Sequence, residues 1–380
     1  MPSLVTFVEP FSCEFRKSAG GMKITFEAGR PYLIGNTQLD RLLLDDNVKN
    51  RVYKISRADN RVRNFNATIV PQKPERVLIF NGSGGYGDQI MTWPFARILS
   101  QRFEVHVLTD PGNSVCWWNM PFVKSIHTIP IQWATVQMFD HCVFFEHVVN
   151  MDEHQDQMHP LDMMLHKVGI NPMSIPSEAK VVAPLFTHSE QQGTKAWLEK
   201  GKLGIYQLSG ANSLRCLPVA DSVYLLIRLV EAYPDIHWLA VYDEFVPKEY
   251  KELAEVKLAE AKLTNAQVVC FGNLRDLWAL TQRVAVVVGP DSMMVHLAGS
   301  LGVPCVGLWG PISPENRVKY YPRHTAIYHR EYCPHAPCYA YTGKFPRYCP
   351  PKPVERTVCE CIGGISATEV VEAVATALQS

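Results

Sequence analysis

Three groups of residues have types and spacings suited to chemistry. The first is Asp291-Ser292, within Gly289-Pro-Asp-Ser-Met-Met-Val-His296. The apolar run Val284 to Val288 precedes it and reads as a buried parallel strand. An amphipathic stretch follows, and the chain returns as a second buried run, Val303 to Leu308. Asp291 and Ser292 therefore stand where a helix begins at the carboxyl end of a strand. Unpaired backbone N–H groups and the positive end of a helix dipole collect at such a point, which suits a phosphate.

The second group is Gly82-Ser-Gly-Gly-Tyr-Gly87 with Asp88. It matches G-x-G-x-x-G between the strand Arg76 to Phe80 and the helix Gln89 to Ser100. Asp110 ends the next strand, where a dinucleotide-binding fold places its ribose-binding carboxylate. A nicotinamide-dependent oxidoreductase using Gly82, Gly84, Gly87 and Asp110 is thus one reading. Asp88 argues for another. A carboxylate directly behind the last glycine would repel a pyrophosphate, whereas a general base aimed at an attacking hydroxyl fits there. Capping of the helix is the third role open to it.

The third group is Cys333, Cys338, Cys349, Cys359 and Cys361, gathered near the end of a chain with 11 cysteines. No signal peptide opens the sequence, so the cluster argues for a metal before disulfides. It lacks paired C-x-x-C knuckles, and its intervening prolines and glycines give a loop with little core of its own, the kind a metal can staple. Two readings stay open: a bound metal, or free thiols.

The elements that must position these groups alternate regularly. Short buried strands and helices run from residue 76 to about 185, with a methionine- and histidine-rich helical segment near Met151 to His166 whose Met151 to His159 run reads as a solvated helix face or an acceptor-side loop. The pattern restarts with the strand Gly204 to Leu208, the helix Val219 to Tyr233, the strand His237 to Val241 and the helix Glu249 to Lys262. Such alternation predicts α/β architecture with two doubly wound, Rossmann-like parallel sheets facing a cleft, ligands lying at the carboxyl ends of the strands. The expected divisions are an appendage over 1–74 (mixed or β-rich), a first domain over 75–187, a second over 188–330, a cysteine-rich loop over 331–363 and a closing helix over 364–380 that packs back on the first domain. Ser366 and Glu369 stand at capping-box spacing for that helix. Lys and Arg number 37 against 37 Asp and Glu, which excludes recognition of nucleic acid by bulk charge. No apolar stretch is long enough to span a bilayer, and a cytoplasmic protein is expected.

Gly87-Asp88-Gln-Ile-Met-Thr-Trp-Pro94 resembles the G-D-x-x-x-T-x-P element of the heptosyltransferase-like glycosyltransferases (glycosyltransferase family 9), which have the GT-B fold. Gly289 to Glu315 resembles their D-[ST]-G-x-x-H-L-A-A-x-L-G-x-P-x-V-x-L-[FW]-G-P-[TS]-x-P signature. Ser209-Gly-Ala-Asn-Ser-Leu-Arg-Cys-Leu-Pro218 is similar to the loop that ends in K-x-W-P, and Glu360 to Val370 to a late C-M-x-x-I-x-x-x-x-V element. The matches fall in family order between residues 76 and 380.

The resemblance implies inverting transfer of a heptose-like sugar or hexose from a nucleotide-diphosphate sugar to a hydroxyl, with no cofactor for catalysis. It makes Asp88 the base, within a turn of Gly84, Gly85, Tyr86 and Gly87 that meets acceptor or phosphate. It places the donor against Ser209, Asn212, Ser213, Arg215, Asp291, Ser292, Met293 and His296. Arg215 stands for a lysine, Leu217 for a tryptophan and Met293 for a glycine, so donor identity is open. The acceptor is a saccharide, a protein or a modified base, and an oligomer is allowed. Some members, the autotransporter heptosyltransferases, carry a four-cysteine iron site near the chain's end, so the resemblance allows a structural Fe or Zn here; with four ligands the favoured set is Cys333, Cys338, Cys349 and Cys361, with Cys359 as the substitute for Cys361. A non-catalytic nucleotide- or sugar-binding module is the remaining alternative.

Overall fold

A computed structural model describes residues 3–7, 10–15, 22–35, 39, 42–43, 52–57, 74–81, 85–145, 157–210, 212–242, 247–339 and 359–379. The expectations placed on Gly82, Gly84, Cys349 and residues 151–156 lie outside the described residues. The chain divides into two compact units, 1–149 with 161–179 and 150–160 with 180–380.

The first unit opens with β1 (Ser3–Phe7), β2 (Phe11–Phe15), β3 (Met22–Phe26), β4 (Pro31–Ile34) and β5 (Val52–Arg57). β2 and β3 form a two-stranded antiparallel ribbon. β5, β1 and β4 form an antiparallel sheet whose fourth strand, β9 (Ile131–Gln132), comes from far along the chain. The appendage encloses its own small core, with Phe7, Phe26 and Tyr32 ring to ring beside Val5 and Ile34.

The parallel sheet of this unit is β10 (His141–Phe144), β6 (Glu75–Asn81), β7 (Phe103–Thr109) and β8 (Ser125–Thr128), in that order. β6 is buried from Val77 onward because its Val, Leu, Ile and Phe side chains meet packing on both faces. It feeds α1 (Tyr86–Leu99), whose Pro94 lies inside the helix. α2 (Pro160–Lys167) is the helical part of the methionine- and histidine-rich stretch.

The second unit is a six-stranded parallel sheet in the order β13 (Ala266–Val269), β12 (His237–Val241), β11 (Leu203–Gln207), β14 (Val286–Pro290), β15 (Cys305–Trp309) and β16 (His324–Tyr328). Its helices include α3 (Val219–Ala232), α4 (Glu249–Glu260), α5 (Leu274–Thr281) and α6 (Met293–Leu301). α6 is capped at its end by Gly302 at φ 68°, a left-handed conformation that glycine adopts without strain. The order is what positions a site. The chain leaves β11 toward β12 and β13, then returns to β14 on the other side of β11 and moves away through β15. The strand ends of β11 and β14 therefore flank a topological switch point.

The closing helix, α7 (Ala367–Gln379), places Val370, Val374 and Ala377 in the apolar core of the second unit, with Leu226, Leu229 and Val230 of α3, and the Tyr233 hydroxyl donates to the Val371 carbonyl at 2.6 Å. Ser366 caps the helix as expected, accepting from the Glu369 N–H at 3.2 Å.

Candidate active site

In the first unit, Asp88 is the third residue of α1. Its Oδ2 accepts the Gly85 N–H at 2.9 Å, so the capping role weighed from the sequence is occupied. A network that the sequence did not reveal holds this turn on the end of β6. Thr92 donates to the Asp88 carbonyl at 2.8 Å and accepts from Asn81 Nδ2 at 2.7 Å. Gln89, fully buried, donates to the Asn81 carbonyl at 3.1 Å and accepts from Trp117 Nε1 at 2.8 Å. The threonine of the G-D-x-x-x-T element thus fixes the backbone that carries the aspartate. Gly85, Tyr86 and Gly87 stand at the same turn. Asp110, whose carboxylate a dinucleotide site would need, accepts the Gly112 N–H at 3.2 Å and caps the short 3-10 segment Pro111–Trp117.

In the second unit, the residues expected to hold a donor converge on the switch point. Asp291 is 4 % exposed. Its carbonyl accepts from Arg215 Nη1 at 2.7 Å, and its carboxylate lies 3.9 Å from Arg215 Nη1 and 3.6 Å from His296 Nε2. His296 is itself buried, and its Nδ1 faces the Tyr321 hydroxyl at 3.2 Å. Burial raises the Tyr321 phenol above its ordinary value, so it stays protonated. Burial, and then the nearby His296, push His324 down to about 3, so this neighbour adds no charge at neutral pH. Asp291 and His296 are therefore set to orient Arg215, whose side chain remains partly exposed.

Ser292 precedes α6 without making a side-chain cap, and its Oγ accepts from Gln207 Nε2 at 3.0 Å. Ser209 is buried two residues past β11, while Ser213 is exposed. Asn212 Oδ1 accepts the Leu214 N–H at 2.9 Å and shapes the turn that delivers Arg215. Cys216, which sequence reasoning passed over, staples that loop: its sulfur accepts the Gly210 N–H at 3.0 Å and donates to the Asn212 carbonyl at 3.2 Å. Burial raises its thiol above the ordinary value, outweighing the Gly210 hydrogen bond, so it packs as a neutral group. Met293, where the quoted signature has glycine, has its sulfur drawn to Trp278 Nε1 on α5 at 2.9 Å.

Among the described cysteines, Cys333, Cys359 and Cys361 are buried and Cys338 partly so. The Cys361 thiol is raised by its hydrogen bond to Cys359, by burial and by the nearby Cys359, Cys333 and Cys338, which places all four in one neighbourhood. The donor set suits a thiophilic metal. The spacing does not: Cys359 and Cys361 sulfurs are 2.9 Å apart, against about 3.7 Å for two thiolates on a tetrahedral ion with bonds of about 2.3 Å. Among the described residues no group of three or more His, Cys, Asp or Glu side chains is arranged to hold a metal. His159, from the candidate acceptor-side stretch, is buried with Nε2 3.0 Å from the Arg317 carbonyl.

Comparison with solved structures shows the GT-B fold. The chain superposes on Escherichia coli ADP-heptose LPS heptosyltransferase II with a TM-score of 0.61 at 12% identity, over 80% of this chain and 98% of the other. A family 9 glycosyltransferase from Veillonella parvula gives 0.58 at 13% identity, over 80% and 97%. The iron-containing dodecameric glycosyltransferase TibC of enterotoxigenic E. coli gives 0.54 at 11% identity, over 99% and 93%, appendage included. By sequence, residues 245–348 match the model of glycosyltransferase family 9 (heptosyltransferase). The resemblance read from the motifs is thus a family 9 resemblance on a GT-B fold. No curated protein matches the sequence. Among the described residues no helix is long and apolar enough to cross a membrane.

Proposed function

We propose that the chain transfers a sugar from a nucleotide-diphosphate sugar to a hydroxyl acceptor with inversion at the anomeric carbon. The observation that carries this is the switch-point cluster: an arginine fixed by Asp291 beside an α-helix N-terminus whose serine does not cap it. The donor diphosphate lies against Arg215 and the first N–H groups of α6, and Ser209, Asn212, Ser213 and Ser292 line the same crevice. As the anomeric C–O bond breaks, its electrons go to the diphosphate oxygen. Arg215 and the helix dipole stabilise that charge, so no step is routed through a metal. Asp88 accepts the proton of the attacking hydroxyl, and Asp291 and His296 serve as positioning residues.

The test is thermal-shift binding with ADP, GDP, UDP, CDP and NAD. Stabilisation by one nucleoside diphosphate supports the transferase and names the donor base. Stabilisation by NAD alone overturns it in favour of the oxidoreductase.

Two properties in TibC's description are carried over as further proposals: assembly of several copies, and a structural metal held by Cys333, Cys338, Cys349 and Cys361 or Cys359. Such a metal would staple the 331–363 loop and requires Cys359 and Cys361 to part. Light scattering and metal analysis of the purified protein test them. A monomer, or protein without iron or zinc, would sink the respective proposal.

A further inference from the structure

The switch point holds buried polar atoms that the protein does not satisfy. Gln207 ends β11, and its side chain lies over Gly289, where an added Cβ would come within 3.0 Å of the Gln207 Cβ and 3.6 Å of its Oε1. Its Nε2 donates to Ser292 Oγ, but its Oε1 is buried with no partner. Rotating the amide by 180° exchanges the two ends without removing the deficit. Ser292 would then donate to Oε1, and Nε2 would be left over. Either way one strong hydrogen-bonding atom of Gln207 is unmatched, a state that buried amides rarely tolerate. Ser209 repeats the pattern: it is 2 % exposed and its hydroxyl has no partner. The loop that carries it abuts Ser292, since a Cβ on Gly210 would sit 3.7 Å from the Ser292 Cβ. Gln207, bonded to Ser292 at the uncapped N-terminus of α6, and Ser209, in the adjoining loop, therefore each leave a buried polar atom unsatisfied.

We infer that Gln207 contacts the donor diphosphate, an inference that rests on the transferase reading above. An anion at the α6 N-terminus selects between the two amide orientations. A carbonyl facing a phosphate would repel it, and an N–H would donate to it. On binding, Gln207 turns its amide N–H to a phosphate oxygen, and its Oε1 accepts a hydrogen bond from the Ser292 hydroxyl. The ligand thereby removes the deficit. Gln207 adds a neutral donor beside the charge of Arg215, and Gly289 leaves room for the amide to turn.

Calorimetric titration of wild type, Gln207→Met and Gln207→Glu tests this, using whichever of ADP, GDP, UDP and CDP binds the wild type best, together with its nucleoside. Gln207→Met keeps the shape and loses the hydrogen bond. We expect it to weaken the nucleoside diphosphate about 10-fold or more, the size of a hydrogen bond to a charged group, and to leave the nucleoside unchanged. Gln207→Glu should weaken the diphosphate further, through like charge, with the nucleoside again unaffected. Unchanged diphosphate binding in Gln207→Met overturns the inference, as does an equal loss for nucleoside and diphosphate, which marks a structural role. A wild type that binds no nucleoside diphosphate overturns the transferase reading instead, and the inference falls with it.

Discussion

A carboxylate that caps a helix is held in one place, which is also what a general base requires. Asp88 is in that position: Oδ2 accepts the Gly85 N–H, which also fixes where the carboxylate points. The two roles separate by substitution. Asp88→Asn keeps an acceptor for the Gly85 N–H and loses the base. It should fold with an unchanged melting temperature, while kcat falls about 10²- to 10⁴-fold and donor KM stays level. Asp88→Ala should lose the same activity and in addition about 1 kcal/mol of stability. Full activity in Asp88→Asn would leave the aspartate as a cap and nothing more. This residue was legible in the sequence because its neighbours in the chain define it. Gln207, Cys216 and Tyr321 were not, because each acquires its role from a partner that only the folded chain brings near: Ser292, Gly210 and His296.

The elements show the same division. Alternating buried strands and helices were readable as parallel sheets, since periodicity is local. β9 was not, because two residues carry no periodicity, yet it supplies the fourth strand of the appendage sheet. Packing between elements also explains a departure from the signature. The quoted family element has a second alanine after H-L-A, and here that position is Gly299. A Cβ on Gly299 would fall 2.2 Å from Tyr321 Cδ2, so the ring whose hydroxyl faces His296 occupies that space. Gly299→Ala should destabilise the protein by about 1–3 kcal/mol, as overpacking does, and weaken nucleoside diphosphate binding with it. Chemical denaturation and titration of one sample read both, and an unaltered protein would show that α6 can shift without consequence. On α1, Thr92→Val removes the hydrogen bond from Asn81 on β6 and the one to the Asp88 carbonyl within the helix, and leaves Asn81 Nδ2 buried and unsatisfied. A loss of about 1–3 kcal/mol is expected in the same denaturation experiment.

Over the whole molecule, the end of the chain is fastened to the sheet through a titratable group. His329 directly follows β16, and its ring lies between Glu331, at 3.0 Å from Nδ1, and Glu369 of α7, at 2.8 Å from Nε2. Tyr332 packs beside it with ring centroids 4.8 Å apart. Burial pulls the imidazole down, but hydrogen bonds to Glu369 and Glu331, followed by their charges, outweigh it and hold it above the ordinary 6.5. A raised folded-state value means that the native protein binds the proton more tightly than the unfolded chain does. The resulting stabilisation is fully present below about 6.5 and is lost as pH rises through the higher folded value. His329→Gln can keep hydrogen bonds to the carboxylates but cannot charge. The melting temperature of wild type should therefore exceed that of His329→Gln at pH 6, and the gap should close on going to alkaline pH. Hydrogen exchange should place the change in α7 (Ala367–Gln379), which Glu369 ties to His329. A gap that stays constant across the range would mean that α7 is held by the apolar contacts of Val370 and Val374 alone, with no contribution from the charged clasp.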